Sequence, residues 1–500
     1  MHSETRQGQE RDLGGFPITR APSTLTAPMF EKVLIANRGA IAVRIARTCE
    51  RLGIGSVAIY SEADEDSVHK QACDEAVCVG PARVQDSYLN QAAILEAAKT
   101  TGAQAVHPGY GLLSENPAFA RAVEAAGMTF IGPSAEALEL FGDKVRAKAL
   151  ALQAGVRVTP GSDEAVVDLA QAAFEAERIG YPVLIKAAGG GGGIGMQIVH
   201  EPDELAKAIT TCSNRAKASF GDDRLYIERY IERPRHVEVQ VIGDRHGNIV
   251  ALGERECSIQ RRHQKIIEES PAPLLQFSRN AEDRRLQLFD AALRIANEAG
   301  YYNAGTAEFI VDAAGRAYFM EWNPRLQVEH AVTEMCTGLD LVELQLRVAA
   351  GEPLPNSALR AEPRGHAIEA RICAEDATRG FIPKPGEVKT LRWPTLAPGS
   401  LRIESAIAVG SKVTPYYDSM VAKVITFGAT RHQAILTLDR VLAETEIEPL
   451  VTNIAFLRQV LAHEAFRAGQ YDTDFLERLL EEQREEAEEQ QQPANTVPPP

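Results

Sequence analysis

From Lys32 the chain alternates an apolar run, an amphipathic run and a second apolar run, KVLIAN, AIAVRIARTCERLG and SVAIYS, with Gly53 and Gly55 marking the return. A strand followed by a helix and another strand is a βαβ opening, because the intervening helix gives the chain the length it needs to re-enter the sheet in the same direction. The pattern continues. Helices are expected over Asn90 to Lys99 and over Pro117 to Ala126, the second started by Ser114-Glu115-Asn116-Pro117, which supplies capping oxygens and a proline suited to a first helical turn. A parallel sheet with helices on both faces is the architecture this order predicts.

The 500 residues exceed what one hydrophobic core fills, so several packed units are expected. With 53 Lys plus Arg against 69 Asp plus Glu, the formal charge of -16 repels polyanions, and nucleic acid is an unfavoured partner. Seven cysteines lie scattered without a CxxC pair, which points to neither a disulfide framework nor a zinc site and fits a reducing cytoplasm. No apolar run has the length of a membrane span. Residues 1–28 mix acids and bases without an apolar core and read as a disordered extension, and the final EEQREEAEEQQQPANTVPPP reads as a solvated tail.

Further along, a helix from Asp143 to Ala154 leads through AGVRVTPGS to a unit centred on the strand YPVLIKAA and the run Gly189 to Gly193, which has the character of a mobile lid. Strand-like HVEVQVIG, IVALGERE, TAEFIVD and RAYFMEW follow, before helices return at Gly338 to Ala350 and Arg431 to Glu444.

Three clusters carry chemistry. Lys186 closes an apolar strand and is followed by GGGGGIG, whose backbone lacks Cβ atoms and can bring amide N–H groups close to a polyphosphate. The lysine precedes the glycines, so this is not the GxxxxGK[ST] loop, and the opening βαβ lacks GxGxxG. A flexible connection is the plainer alternative. In AYFMEWNPRLQVEH, strand alternation places Glu321, Asn323, Arg325 and Gln327 on one face and Trp322 on the other. Glu321 and Asn323, with Glu308 from a neighbouring strand, suit hard-oxygen coordination of Mg²⁺, while a solvated sheet edge is the alternative. In ERECSIQRRHQK, Arg261, Arg262, His263 and Lys265 concentrate positive charge in an acidic chain, serving either an anion or a surface ion-pair network.

These clusters, together with FEKVLIANRGAIAVRI, AVHPGYGLLSEN, ERPRHVEVQV, EARICAED and YYDSMVAKVI, resemble the biotin carboxylase family from near Phe30 to about Leu480. The order HPGYG, KAAGGGGG, RRHQK, NPRLQVEH, YYDSM is highly specific as a combination. The resemblance implies an α/β and α+β ATP-grasp protein. Its doubly wound, Rossmann-like N-terminal domain would cover residues 29–142. The ATP-grasp domain would cover 143–350 with a lid at about 158–231, followed by a C-terminal mixed-sheet domain over 351–477 and a disordered tail from 478.

By resemblance, Lys144 and Lys186 are expected on the ATP phosphates under Gly192 and Gly193. Glu228, Arg229, Tyr230 and Ile231 would line the adenine pocket, with His236 and His263 near the nucleotide. Glu308, Glu321 and Asn323 correspond to ligands of Mg²⁺ or Mn²⁺. Lys265, Arg325, Gln327, the backbone of Val328, and Glu329 match a bicarbonate pocket, with Glu329 as general base, and Arg371 matches the arginine beside the biotin ring. The implied reaction is ATP-dependent carboxylation of biotin, supplied by a biotin carboxyl carrier protein. It is the first half-reaction of an acyl-CoA carboxylase, acetyl-CoA being the expected acceptor, with carboxyltransferase subunits as further partners and a homodimer as the usual assembly.

Departures from the family pattern are Ile194 where arginine is usual, Ala40 for glutamate, Arg51 beside Arg47 on the expected dimer face, and Pro449-Leu450-Val451 for Gly-x-Lys. No Met-Lys-Met biotinylation site is present, so biotin is expected from another polypeptide. Two alternatives stay open: another ATP-grasp ligase acting on a different carboxylate, and a catalytically weak nucleotide-binding paralogue that scaffolds a carboxylase complex.

Overall fold

The structure is a computed structural model that describes residues 29–162, 164–166, 168–187, 196–276 and 280–491. Its first unit consists of β1 (Lys32–Ile35), α1 (Gly39–Leu52), β2 (Gly55–Ser61), α2 (Val68–Ala72), β3 (Glu75–Gly80), α3 (Gln91–Thr101), β4 (Ala105–His107), α4 (Pro117–Ala125) and β5 (Thr129–Phe130). The strands lie in the order β3-β2-β1-β4-β5, and each neighbouring pair is parallel. Local chemistry sets the helix ends. Gly53, at φ 73°, stops α1 in a left-handed cap that a Cβ would strain, and the side chains of Asn90 and Asn116 accept from Ala93 N and Phe119 N at the starts of α3 and α4.

After α5 (Ala135–Gly142), Asp143 caps α6 (Lys144–Gln153) by accepting from Val145 N and Arg146 N. A small unit follows, with α7 (Leu169–Ile179), β6 (Val183–Ala187), β7 (Gln197–Val199), α8 (Leu205–Phe220) and β8 (Leu225–Arg229). Its antiparallel sheet, β7-β6-β8, packs against both helices through small side chains, Ala172, Ala176, Ala208 and Cys212. The glycines expected to form the lid loop, Gly192 and Gly193 among them, and Ile194 lie outside the described residues.

Among the described residues, most of the remaining strands form one large sheet, with three two-stranded sheets beside it. It contains β9 (Arg235–Gly243), β10 (Ile249–Arg261), β11 (Gln264–Ser270), β12 (Asn303–Val311), β13 (Ala317–Asn323) and β14 (His366–Cys373), with α9 (Ala281–Glu298), α10 (His330–Thr337) and α11 (Leu341–Ala349) packed around it. The order is β13-β12-β9-β10-β11-β14, continued by strands Met420–Gly428 and Leu401–Ser405. Where a separate mixed sheet is expected beyond residue 351, every neighbouring pair is antiparallel and the sheet runs unbroken across that boundary. Hairpin turns return β9 to β10 and β10 to β11 too quickly for a parallel crossover. Along β9, Val237, Val239 and Val241 enter the core with α9, leaving His236, Glu238 and Gln240 for the opposite face.

The expected solvated tail is corrected in part: a helix spans Phe475–Gln491. Phe475, Leu476 and Leu479 form a short stripe buried against Phe456, Leu457 and Val460, and that docking gives the otherwise polar segment a reason to be helical. Arg51, expected on a subunit face, pairs within the chain with Asp340 at 2.8 Å and Glu343 at 2.5 Å. Among the described residues no helix is long and apolar enough to cross a membrane.

Glu269 on β11 fastens the sheet to the C-terminal helices. Its carboxylate receives His366 Nε2 at 2.6 Å, Arg431 Nε at 2.6 Å and the Tyr471 hydroxyl. Burial alone would raise this carboxyl, but Arg431 and His366 overcome it and hold it at about 2. A folded-state value below the unfolded one, about 4.3, stabilises the fold above that pH and loses its effect as pH falls toward 2. Glu269→Gln is therefore expected to cost about 3 kcal/mol at pH 7 and progressively less below pH 4, read as urea unfolding midpoints of mutant and wild type across pH.

Candidate functional site

A cavity of about 1360 Å³ opens where the three units meet, and the polar face of the large sheet forms its floor. Two lysines reach it from different elements. Lys144, at the start of α6, places Nζ 3.1 Å from Glu321 Oε2, and Lys186, on β6, places Nζ 2.6 Å from Glu228 Oε2 on β8. Lys148, one turn beyond Lys144, also contacts Glu228. Desolvation opposes charging Lys144, but Glu321 and Tyr226 reverse that and raise it. The expected adenine-pocket residue Glu228 thus serves here as counter-ion to Lys186, while Arg229, Tyr230 and Ile231 line the cavity wall beside it.

Glu308 and Glu321 face each other directly across β12 and β13, so both carboxylates lie on one side of the sheet. Glu308 is the more enclosed. It meets His236 Nε2 at 2.8 Å and receives Asn323 Nδ2 at 2.7 Å and Gln327 Nε2 at 2.9 Å. Burial would raise its carboxyl, yet Lys265 and His236 hold it well below the ordinary carboxylate range. Strand β13 ends at Asn323, so Arg325 and Gln327 do not continue its alternation as expected. They curl back in the following connection instead. Arg325 donates to Gln327 Oε1 at 2.8 Å and Asn323 Oδ1 at 3.1 Å, and its Nε pairs with Glu115 of the first unit at 2.6 Å.

Lys265 is the hub of the floor. Its ammonium lies 2.7 Å from Glu238, 3.1 Å from Glu308 and 2.7 Å from Glu329. Glu329 is fully buried at the start of α10, and its other oxygen receives Arg371 NH2 from β14 at 2.9 Å. Against burial, Lys265 and Arg371 pull this carboxyl far down, so it is ionised throughout the neutral range. Glu238 goes the other way, raised by desolvation that Arg255 and Lys265 only partly offset. The Val328 carbonyl accepts from the buried Lys423, which holds the backbone leading into Glu329.

His263 and Arg262 form the two-residue turn between β10 and β11, with φ of 66° and 49°. Both are left-handed, the type I′ arrangement that suits a tight hairpin but strains non-glycine residues by about 1–3 kcal/mol each. The strain carries two polar side chains to the cavity, where burial lowers the His263 imidazole. Arg261, also at the cavity, pairs with Glu375 at 3.0 Å.

The structure thus brings together Lys144, Lys186, Glu228, His236, His263, Lys265, Glu308, Glu321, Asn323, Arg325, Gln327, Val328, Glu329 and Arg371 around one space. Sequence reasoning missed Glu238, Lys148, Lys423 and Glu268, the last a buried β11 carboxylate that pairs with Arg371. Glu238 had a legible signal, because His236, Glu238 and Gln240 alternate as a polar row inside HVEVQVIG. The others owe their place to tertiary packing. Facing Glu308 and Glu321, with Asn323 beside them, form an oxygen-rich donor set that fits a hard divalent cation. A second convergence joins His236, Glu238 and Glu308. Cys257 lies 3.9 Å from Glu329, but burial and Glu238 drive its thiol up, which keeps it protonated and a poor ligand.

Three sequence-family profiles match the chain: "Biotin carboxylase, N-terminal domain" over residues 29–138, "Carbamoyl-phosphate synthase L chain, ATP binding domain" over 143–357, and "Biotin carboxylase C-terminal domain" over 369–478. A biotin carboxylase of Halalkalibacterium halodurans is 51% identical over 449 residues, covering 90% of this chain and 97% of that protein. Among solved structures, a biotin carboxylase–β,γ-ATP complex from Campylobacter jejuni superposes with TM-score 0.87 at 43% identity, covering 91% of this chain and 100% of the other. The biotin carboxylase domain dimer of Hydrogenobacter thermophilus 2-oxoglutarate carboxylase, in complex with MgADP, ADP and bicarbonate, gives 0.86 at 44% identity over 90% and 98%.

Replacing Lys265 by Met would leave Glu238, Glu308 and Glu329 enclosed without their common counter-ion. The expected cost is about 3–5 kcal/mol near pH 8, shrinking toward pH 5 as one of the three takes up a proton, measured as the shift in urea midpoint.

Proposed function

Since the chain belongs to the biotin carboxylase family, we propose that its cavity carries out ATP-dependent carboxylation of biotin with bicarbonate, the biotin being presented by a separate carrier protein. The observation that carries this reading is Glu329, ionised and enclosed between Lys265 and Arg371 in the same cavity that Lys144 and Lys186 line. Such a site can hold a small oxyanion beside a base and aim it toward a polyphosphate.

In this proposal Lys144 and Lys186 bind the ATP phosphates, exchanging their present carboxylate partners for phosphoryl oxygens, and Arg229, Tyr230 and Ile231 line the base pocket with His236 and His263 nearby. Glu308 and Glu321, assisted by Asn323, would hold Mg²⁺ or Mn²⁺. The bound metal would neutralise charge on the transferring phosphoryl group. Lys265, Arg325, Gln327 and the backbone of Val328 orient bicarbonate, and Glu329 accepts its proton. The freed oxygen then attacks the γ-phosphorus, the bond to ADP breaks, and carboxyphosphate forms.

Carboxyphosphate divides into CO₂ and phosphate, the phosphate takes the proton from the ureido nitrogen of biotin, and that nitrogen attacks CO₂. Arg371 and Arg325 stabilise the negative charge that develops on the ureido oxygen. Enclosure matters here because carboxyphosphate in contact with water would be hydrolysed.

For the assembled enzyme we propose an acyl-CoA acceptor, acetyl-CoA first, with carboxyltransferase subunits as partners and a homodimer as the assembly. The support for separate carboxyltransferase subunits is that the chain covers nearly all of a relative named simply biotin carboxylase. The domain itself does not restrict the acceptor, since the similar Hydrogenobacter domain belongs to a 2-oxoglutarate carboxylase. Cytoplasmic residence is proposed with it.

The test is phosphate release from MgATP by the purified chain, with and without bicarbonate and free biotin. Stimulation requiring both is expected; ATP binding without it would favour a nucleotide-binding scaffold. Glu329→Gln is expected to lower the stimulated rate by about 10²-fold or more while nucleotide affinity, measured by calorimetry, stays within about twofold. Equal loss of nucleotide binding would remove Glu329 from the role of base.

A further inference from the structure

The loop Tyr416 to Ser419 forms part of the cavity wall, and the first unit grips it from outside the sheet. Arg38, at the N-cap of α1, forms a two-pronged pair with Asp64, Nε to Oδ2 at 2.7 Å and NH2 to Oδ1 at 2.8 Å. Asp64 is in turn fixed by the Tyr88 hydroxyl at 2.5 Å, and Tyr88 is completely buried. This pairing aims the flat guanidinium at Tyr417, whose ring centroid lies 4.0 Å from it. Tyr88 meets the same ring edge-on at 5.6 Å. The Tyr417 hydroxyl is held too, donating to Ala82 O at 2.6 Å and contacting Ser61 Oγ. Residues of the first unit thus hold one face, one edge and the hydroxyl of the ring, which elsewhere borders the cavity.

Beyond Tyr417 the connection reaches the chemistry. Two residues on, the Ser419 carbonyl accepts from Ala374 N at 2.8 Å, and Ser419 Oγ donates to Glu375 at 2.6 Å. Ala374 and Glu375 directly follow β14, which carries Arg371. Arg371 also sits opposite Lys423 on the neighbouring strand, four residues after Ser419. A load on Tyr417 is therefore transmitted to both strands that frame Arg371.

We infer that Arg38, Asp64 and Tyr88 act through Tyr417 as a positioning strut, which fixes the Tyr416–Ser419 wall and the end of the Arg371 strand against the ring of biotin. The inference rests on the function proposed above and adds residues to it. Arg38, Asp64, Tyr88 and Tyr417 partner one another, while Lys144 and Lys186 pair with Glu321 and Glu228, so the strut and the phosphate lysines share none of these partners and the strut bears on one substrate. Loosening it is felt by biotin and not by ATP. A plain domain staple would weaken the whole fold and show no such preference.

The discriminating variant is Tyr417→Leu, which removes the ring and leaves the Arg38–Asp64 pair intact. Tyr417→Phe, which removes only the hydroxyl, carries the test if the first fails to fold. Steady-state phosphate release by the full chain is measured against free biotin and, separately, against ATP. The KM for biotin is expected to rise about tenfold in Tyr417→Leu and about threefold in Tyr417→Phe, with the KM for ATP unchanged within about twofold. Unchanged biotin KM in both variants, or equal shifts for biotin and ATP, overturns the strut. The wild type separates the two ideas: without bicarbonate- and biotin-dependent release both the function and the strut fall, whereas an active wild type matched by its variants removes the strut alone.

Discussion

One ammonium shared among three enclosed carboxylates sets the terms for the rest of the site. Glu238, Glu308 and Glu329 come from β9, β12 and the start of α10, and among the described residues only Lys265 on β11 touches all three. Bringing three like charges into a weakly polar interior is strongly unfavourable unless the counter-charge is placed within a few tenths of an ångström. The sheet supplies that placement. Arg255 supports the arrangement from below, fully buried against Glu238, Gln240, Thr306 and Thr333, and Arg371 closes it from β14.

A continuous antiparallel sheet is what makes such placement reproducible. Register puts Glu308 opposite Glu321 and also opposite Glu238, so acidic side chains from three neighbouring strands rise on the same face. The reverse face carries Val237, Val239 and Phe309 into the core, and a slip of one residue would bury charge and expose the valines. Stability of the core and geometry of the site are thus enforced by the same register. The same sheet continues into strands beyond residue 351, which is how Arg371 meets Glu329 without a flexible boundary between them.

The phosphate end is built on a different principle. Lys144 comes from α6, whose Ala147 and Ala151 pack into the core beneath the large sheet, and Lys186 comes from the small three-stranded unit. Glu321 keeps Lys144 charged and aimed, whereas burial and the neighbouring Lys144 lower Lys186 to about 7 beside Glu228. An entering polyphosphate competes for charges already in place, which reduces the reorganisation that binding requires.

Much of this was legible beforehand because it is local. Hydrophobic periodicity marked the βαβ opening, Asn90, Asn116 and Asp143 marked helix starts, and motif order marked the family and the residues that would share a site. Glu238 was recoverable from the polar row in HVEVQVIG. The C-terminal helix was not, since its polar composition conceals a short stripe of Phe475, Leu476, Leu479 and Leu480 that matters once a partner surface exists. Nor was the capture of Lys186 by Glu228, the bend that returns Arg325 to Glu115, or the contact of Arg38 with Tyr417. The sequence by itself determined which side chains each strand and helix presents, because alternation and capping act over a few residues. Only the tertiary structure decided which charges meet, because ion pairing depends on distances between segments far apart in the chain.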